Sequence, residues 1–263
     1  MFEGKTVAIT GATGGIGRGI AEMFIANGAK VAISDYKSCE QTGKDIGARS
    51  YICDVSNEHS VKTFIEDVKN DLGDVDIYVS NAGIGEGNGK YVGGASNEGW
   101  QKSWDVNVMG SVYAARQLMP GWVERGSGRF VITASAAGLL NQIGSASYSC
   151  TKHAAVSFAE SIQIEHGADG IKANCICPQY VRSAMTDGMP MAQNSPDGLL
   201  EPKDVANALK SAIEKDEFYV FSHPVVKDYF INRALHPDAY LQGMQKLKQK
   251  VGEAFKAARA KQE

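Results

Sequence analysis

The chain has 263 residues, 43% of them hydrophobic and 22% charged, an ordinary globular make-up that excludes a disordered chain, a collagen and a coiled-coil rod. Its 27 Lys and Arg against 30 Asp and Glu give a formal net charge of −3, so no global basic field invites nucleic acid. No apolar run is long enough for a bilayer, the strand pattern begins by Thr6 with no secretory leader expected before it, and 5 scattered cysteines without zinc spacing predict a reducing, cytoplasmic setting.

Thr6 to Thr10 is a short apolar run ending at glycines, as in a buried parallel strand. Ile16 to Asn27 has helical spacing and stops at Gly28. Val31–Ser34 and Tyr51–Cys53 predict two further strands. Val61, Phe64, Ile65, Val68 and Leu72 mark a helix that Gly73 closes. Ile77–Ser80 reads as a fourth strand, about Trp100 to Val123 as one long helix, and Phe130–Thr133 as a fifth strand. Tyr148 to about Glu165 is again helical, and Ala173–Cys177 is a strand closed by Pro178. Val205–Ile213 predicts a helix and Phe218–Phe221 the last strand. The alternation implies an α/β fold, a single-domain Rossmann-type doubly wound parallel sheet over residues 1–263 with helices on both faces.

Two irregular stretches, Gly85–Gly99 and Thr186–Leu200, follow strands on the edge where open α/β sheets bind ligands. The second lies within an expected substrate loop at about 185–201. At about 237–263 a helical tail aligns Tyr240, Met244, Leu247, Val251 and Phe255, a stripe expected to be core or subunit contact rather than a membrane anchor. The tail's lysines read as a solvated face.

Thr10-Gly11-Ala12-Thr13-Gly14-Gly15-Ile16-Gly17 joins the first strand to the first helix. Glycines let backbone approach a ligand, and a helix start offers free N–H groups and a positive dipole end. A purely structural turn is the alternative, and its place on the first strand favours a diphosphate. Asp35, with Tyr36 beside it, ends the second strand 18 positions after Gly17, where a carboxylate accepts from an adenosine ribose and repels a 2′-phosphate. This favours NAD over NADP, with Arg18 and Lys37 as nearby opposing cations. Asp54-Val55 is placed to close an adenine pocket, or Asp54 to cap the next helix.

With those residues in hand, the chain resembles the short-chain dehydrogenase/reductase family from Lys5 to about Phe221. Thr10-Gly11 with Gly15 and Gly17 is similar to the family's cofactor turn, and Asn81-Ala82-Gly83 to its stretch after the fourth strand. Asn107 matches its structural and catalytic asparagine, Ser135 its catalytic serine, and Tyr148 and Lys152 its Tyr-x-x-x-Lys signature. The resemblance implies NAD held by Gly11, Thr13, Gly14, Gly15, Ile16, Gly17, Asp35, Tyr36, Asp54, Val55, Asn81, Ala82, Gly83, Tyr148, Lys152, Pro178, Val181 and Ser183. It implies a small-molecule alcohol or ketone as partner, a homodimer or homotetramer with contacts near Trp104 and Phe158, and neither nucleic acid nor membrane. The family usually carries Pro-Gly after the sixth strand and a threonine soon after, whereas here Gln179 follows Pro178, Ser183 takes the threonine place, and Thr186 is a second candidate. The C-terminal part departs from the family as well.

Tyr148 and Lys152 stand one helical turn apart and share a face. A phenol titrates near 10, and lowering it by about three units takes roughly 4 kcal/mol, which an ammonium and an oxidised nicotinamide can supply in a partly dry site. Tyr148 is then the general acid/base of a secondary alcohol–ketone interconversion, and Ser135 orients the substrate oxygen. By resemblance, Lys152 also binds the nicotinamide ribose and Asn107 holds a water that links it to solvent. Singly, Ser135 reads as a turn cap and Asn107 as a backbone binder; in this order the catalytic reading prevails. Gln142, Gln179, Met185 and Met189 are the candidate substrate residues, for an apolar, cyclic or aromatic molecule. The histidines lack metal spacing. The competing readings are a silent cofactor-binding regulatory protein, which the intact Ser135, Tyr148 and Lys152 set opposes, and a related epimerase or lyase.

Overall fold

Strands built from small and β-branched apolar residues need cover on both faces, and their burial shows it: every residue of β1 (Thr6–Thr10) is buried. A computed structural model describes residues 1–89, 91–193 and 195–259, with the side chains of 190 and 253–259 outside the description. After β1 come α1 (Gly15–Ala26), β2 (Lys30–Asp35), α2 (Glu40–Ile46), β3 (Arg49–Ile52), α3 (Glu58–Leu72) and β4 (Ile77–Ser80). Then follow α4 (Asn97–Trp104), α5 (Gly110–Arg125), β5 (Gly128–Thr133), α6 (Ala146–His166) and β6 (Ile171–Ile176). The chain continues through α7 (Pro190–Gln193), α8 (Pro202–Glu214), β7 (Tyr219–Val220), α9 (Val225–Leu235) and α10 (Pro237–Arg259).

All pairings are parallel and give one seven-stranded sheet ordered β3-β2-β1-β4-β5-β6-β7. Two apolar layers cover it. One packs Ile20 and Phe24 of α1 with Val205 and Leu209 of α8 against Ile9 and Val79. The other packs Phe64 of α3, Leu118 of α5 and Ala155 of α6 against Tyr78 and Phe130. Strand order reverses between β1 and β4, and such a switch opens a crevice at the carboxyl ends of the strands.

Four expectations are corrected. The helix expected from Trp100 to Val123 starts at Asn97 and is broken by a π-turn over Asp105–Met109, where the Gly110 N–H donates to the Asp105 carbonyl. The added residue shifts the helical phase, which a regular apolar period does not register. Third-strand residues are Arg49–Ile52 rather than Tyr51–Cys53, an edge strand with half-exposed sides. Helices α2 and α9 were not anticipated: α2 is seven residues long and buries only Gly43, and α9 buries only Val226, so neither carries an apolar stripe to read. The tail stripe is not core. Leu247 is 43% exposed, and Tyr240, Met244 and Val251 are half-buried, because α10 packs on α9 beyond the sheet. Phe255's side chain lies outside the described residues. No helix among the described residues is long and apolar enough to cross a membrane.

Leu209 is fully buried between α8 and the sheet. Leu209→Ala is expected to cost about 2–5 kcal/mol through lost burial and a cavity, read from urea unfolding midpoints at unchanged slope.

Candidate active site

Two loops meet at the crevice. Thr10 ends β1, and its hydroxyl accepts from the Asn81 and Ala82 N–H groups at 3.1 and 3.2 Å. Asn81 answers by donating Nδ2 to the Thr10 and Gly11 carbonyls at 3.0 and 2.9 Å. This clamp needs glycine: Gly11 has φ +65, and a Cβ there would stand 2.7 Å from the Ala82 Cα. At Gly17 a Cβ would meet Asn81 Nδ2 and the Gly11 carbonyl at 2.5 Å. Helix α1 follows Gly14, an N-cap with no side chain to bond its first N–H groups; no acidic residue lies in its first turn, and a Cβ at Gly14 would meet only open space. Uncapped N–H groups at the positive end of a twelve-residue helix, beside exposed Thr13, are a cradle that fits a diphosphate.

Asp35 lies next to this turn, accepting from the Thr13 hydroxyl at 2.8 Å and from the Tyr36 N–H at 2.9 Å. Tyr36 is 66% exposed, with the Lys37 ammonium 5.2 Å from its ring centre. Asp54 is exposed and binds the Ser56 N–H and hydroxyl at 3.0 and 2.7 Å, while the cap of α3 is Asn57. Val55 is buried against the π-turn, where a Cβ on Gly110 would come 3.0 Å from its Cβ.

Helix α6 carries the second half of the site. Asn88, in the glycine-rich loop, accepts from the Ala146 N–H at 2.6 Å and so caps α6 from outside. Lys152 is 4% exposed and donates Nζ to the Thr133 carbonyl at 2.8 Å. Burial lowers its pKa from 10.5 to about 8, with Cys175 and Cys177 as the neighbours that favour the charge. Its ammonium lies 5.6 Å from the Tyr148 ring centre. Burial dominates Tyr148 as well and raises its phenol above the usual range, opposed by a hydrogen bond with the Ser135 hydroxyl. The expected lowering calls for two cations, the ammonium and an oxidised nicotinamide; with the amine as the one cation beside the phenol among the described residues, desolvation prevails.

Ser135 follows β5 and caps a short 3-10 turn, Ala136–Gly138, by accepting from the Ala137 N–H at 3.1 Å. Its hydroxyl donates to the Pro178 carbonyl at 3.4 Å. Gly138 lets the turn touch α6, since a Cβ there would lie 2.4 Å from the Lys152 carbonyl. Asn107 sits on the π-turn, 4% exposed. Its Oδ1 accepts from the Ile84 N–H, and its Nδ2 donates to the Ile84 carbonyl and the Thr151 hydroxyl, all at 2.9 Å. Both amide hydrogens are committed to protein, which leaves Oδ1 alone to receive a further donor. Gly83 lies between these groups, where a Cβ would stand 3.2 Å from Lys152 Nζ and 3.3 Å from Asn107 Oδ1.

After β6, Pro178 is buried and Val181 pairs with Leu200 in an isolated bridge that closes the base of the loop. Ser183 reaches the glycine turn: a Cβ on Gly15 would stand 3.0 Å from its Cβ. The Thr186 hydroxyl accepts from the Ser183 N–H at 3.1 Å and donates to the Val181 carbonyl at 2.7 Å. Met185 and Met189 are 43% and 44% exposed on this loop. Gln142 is half-buried, its N–H donating to the Ser149 hydroxyl at 2.9 Å. Gln179 is half-buried too, its N–H donating to His223 Nδ1 at 3.3 Å.

A family model described as short chain dehydrogenase matches residues 5–194. The chain belongs to the short-chain dehydrogenase family. It is 33% identical over 238 residues to the mitochondrial borneol dehydrogenase of Lavandula x intermedia, covering 86% of this chain and 90% of the relative. It is 32% identical to human epidermal retinol dehydrogenase 2, covering 83% of this chain and 74% of that one. A short-chain dehydrogenase/reductase from Burkholderia phymatum in complex with NAD superposes with a TM-score of 0.80 at 28% identity, covering 92% and 96% of the two chains. The chemistry of the family is oxidoreduction with a nicotinamide cofactor.

Sequence reasoning missed Thr133, Thr151, Ile84 and Thr10 as supports. Thr133 and Ile84 act through backbone atoms, which leave no trace in residue type. Among the described residues no group of three or more His, Cys, Asp and Glu could hold a metal ion.

An unfolded lysine keeps its proton to its ordinary value of 10.5, and Lys152 in the fold only to about 8. Between these values the unfolded chain binds more protons, so stability rises with pH across that window and the gain is lost as pH falls through 8. The expected outcome is a rise in urea midpoint from about pH 8 to 10 that Lys152→Met lacks.

Proposed function

We propose that the chain is an NAD-dependent oxidoreductase that interconverts a secondary alcohol and a ketone, with Tyr148 as general acid/base. The observation that carries this reading is the meeting of buried Ser135 and Lys152 with half-buried Tyr148 beside the open glycine turn. The glycine turn from Gly11 to Gly17, with Thr13, Gly14, Gly15 and Ile16, holds a diphosphate on free N–H groups. Asp35 and Tyr36 bind the adenosine ribose, Asp54 and Val55 flank the adenine, and Asn81, Ala82 and Gly83 form the floor. Pro178, Val181 and Ser183 border the nicotinamide end. The bound cofactor supplies or accepts the hydride.

Ser135 holds the substrate oxygen beside the Tyr148 hydroxyl, which takes the proton in oxidation and gives it in reduction. Lys152, fixed by the Thr133 carbonyl, favours the ionised phenol during that transfer. Asn107 is a positioning residue that locks the Ile84 backbone to α6. The loop at 185–201 with Met185, Met189, Gln142 and Gln179 forms the substrate wall. NAD is preferred because Asp35 would repel a 2′-phosphate, and the Burkholderia neighbour is an NAD complex. The reading includes one catalytic domain over 1–263, a homodimer or homotetramer, and a cytoplasmic setting that the five free cysteines support.

Tyr148→Phe is expected to lower alcohol-dependent NADH formation by about 100- to 10,000-fold, with NADH binding by fluorescence near normal. An equal loss of NADH binding would make the tyrosine structural. Asp35→Ala is expected to narrow the NAD over NADP preference in kcat/KM, and a wild type that already prefers NADP would remove the role given to Asp35.

A further inference from the structure

The C-terminal helices are tied to the two segments that carry Ser135, Tyr148 and Lys152. Arg233 lies on α9, outside residues 5–194 that match the family. Its Nη1 donates to the Leu139 carbonyl, to the Leu140 carbonyl at 3.5 Å and to His153 Nε2 at 3.1 Å. Leu139 and Leu140 end the turn that Ser135 begins, and both of their N–H groups donate to the Ala136 carbonyl, at 3.1 and 2.8 Å. His153 follows Lys152 on α6. A guanidinium from α9 thus joins the end of the Ser135 turn to the helix of Tyr148 and Lys152.

The ring of His153 is set for that contact. Its Nδ1 lies 2.9 Å from the Ser149 carbonyl, one turn back on α6. A carbonyl can only accept and a guanidinium can only donate, so Nδ1 carries the hydrogen and Nε2 offers its lone pair to Arg233. The guanidinium also lies over the Tyr240 ring of α10, 5.6 Å from its centre, and the Tyr240 hydroxyl faces the Asn141 backbone. Leu139 is buried, and Leu140, His153, Arg233 and Tyr240 are half-buried.

The bridge falls where the other ties leave off. Lys152 binds β5 before the turn, at Thr133, and the Ser149 hydroxyl binds the Gln142 N–H after it. Between those ties the turn lies on α6 in close contact at Gly138. Close contact is non-directional, whereas hydrogen bonds from a charged donor are strong and directional. The Ser135 hydroxyl meets the Tyr148 phenol across this seam. Proton transfer at a substrate oxygen held between them depends on their spacing, and a shift of about 1 Å costs as much as 100-fold in rate.

We propose that Arg233 is a positioning residue for the oxidoreduction: through Leu139, Leu140 and His153 it holds Ser135 in register with Tyr148 and Lys152. This rests on the oxidoreductase reading and adds to it a part of the chain outside the residues that match the family.

The test follows NADH formation from cyclohexanol, 2-butanol and 1-phenylethanol by the intact protein, with NADH binding by fluorescence and backbone amide exchange of the unliganded protein as further readouts. Arg233→Met is expected to lower kcat about 10- to 100-fold while the NADH Kd stays within about twofold. Arg233→Lys, whose ammonium still donates to the same acceptors, is expected to keep kcat within about threefold of wild type. His153→Leu added to Arg233→Met should cost nothing further, because both remove one bridge. Amide exchange over 136–142 is expected to quicken by about tenfold in Arg233→Met and to stay as in the wild type over 11–17. An unchanged kcat in Arg233→Met overturns the positioning role and leaves the oxidoreductase reading intact. Where Arg233→Met loses NADH binding as well, His153→Leu alone decides, since it leaves the Arg233 bonds to the turn: a lower kcat with NADH binding kept supports the role, and an unchanged kcat overturns it. No turnover of any of the three alcohols by the wild type overturns both.

Discussion

The arrangement at the sheet edge depends on one buried amine. Lys152 is almost without solvent, and its donation to the Thr133 carbonyl fixes it at the carboxyl end of β5. An ammonium in such a place is costly, which is why its pKa falls toward neutrality. The same dryness lifts the Tyr148 phenol. Two groups that titrate close together in water, at 10.5 and 10.0, are thereby driven apart, the amine down and the phenol up, because burial favours the neutral form of each. In this setting an added positive charge has an influence that bulk water would screen. The site is responsive because it is dry, and the amine is tolerable because the carbonyl receives it.

That dryness is produced by close packing of turns. Gly138 brings the turn after β5 onto the backbone of α6 at Lys152, and Gly83 leaves room for Nζ and for Asn107 Oδ1. Asn107 pairs with both backbone groups of Ile84 and with Thr151, so a single side chain ties the β4 loop to α6. It can do so because the π-turn displaces it from the regular helical path. The other half of the crevice is built differently. Its donors are backbone N–H groups at an uncapped helix start, open to solvent at Thr13 and Gly14. A charged diphosphate suits that half, and a proton transfer suits the dry one.

The legibility of these features in the sequence follows from what each leaves behind. Tyr148 and Lys152 were readable from the family's Tyr-x-x-x-Lys signature in its order among the other motifs, and helical geometry then puts the two on one face. The first glycine turn was readable because the need for positive φ and close approach restricts the residue type. Ser135 and Asn107 were readable only from their order among other motifs, since each has an ordinary structural role that the structure also shows: Ser135 caps a turn and Asn107 binds backbone. Thr133 and Ile84 were silent because any residue has a carbonyl. Helices α2 and α9 were silent because they bury almost nothing. The tail was read as amphipathic correctly, but amphipathicity says that a face seeks cover and not that the same chain supplies it; Leu247 stays exposed.

Gln179 lies outside the elements that hold Ser135, Tyr148 and Lys152. Those side chains hang from the turn after β5 and from α6, both closed by backbone contacts that tolerate little change. The wall beyond Pro178 belongs to an excursion whose base is pinned by the Val181–Leu200 bridge and by the Arg182–Glu201 ion pair at 2.8 Å. Residues inside such a pinned loop can change without disturbing the register of β6 and β7.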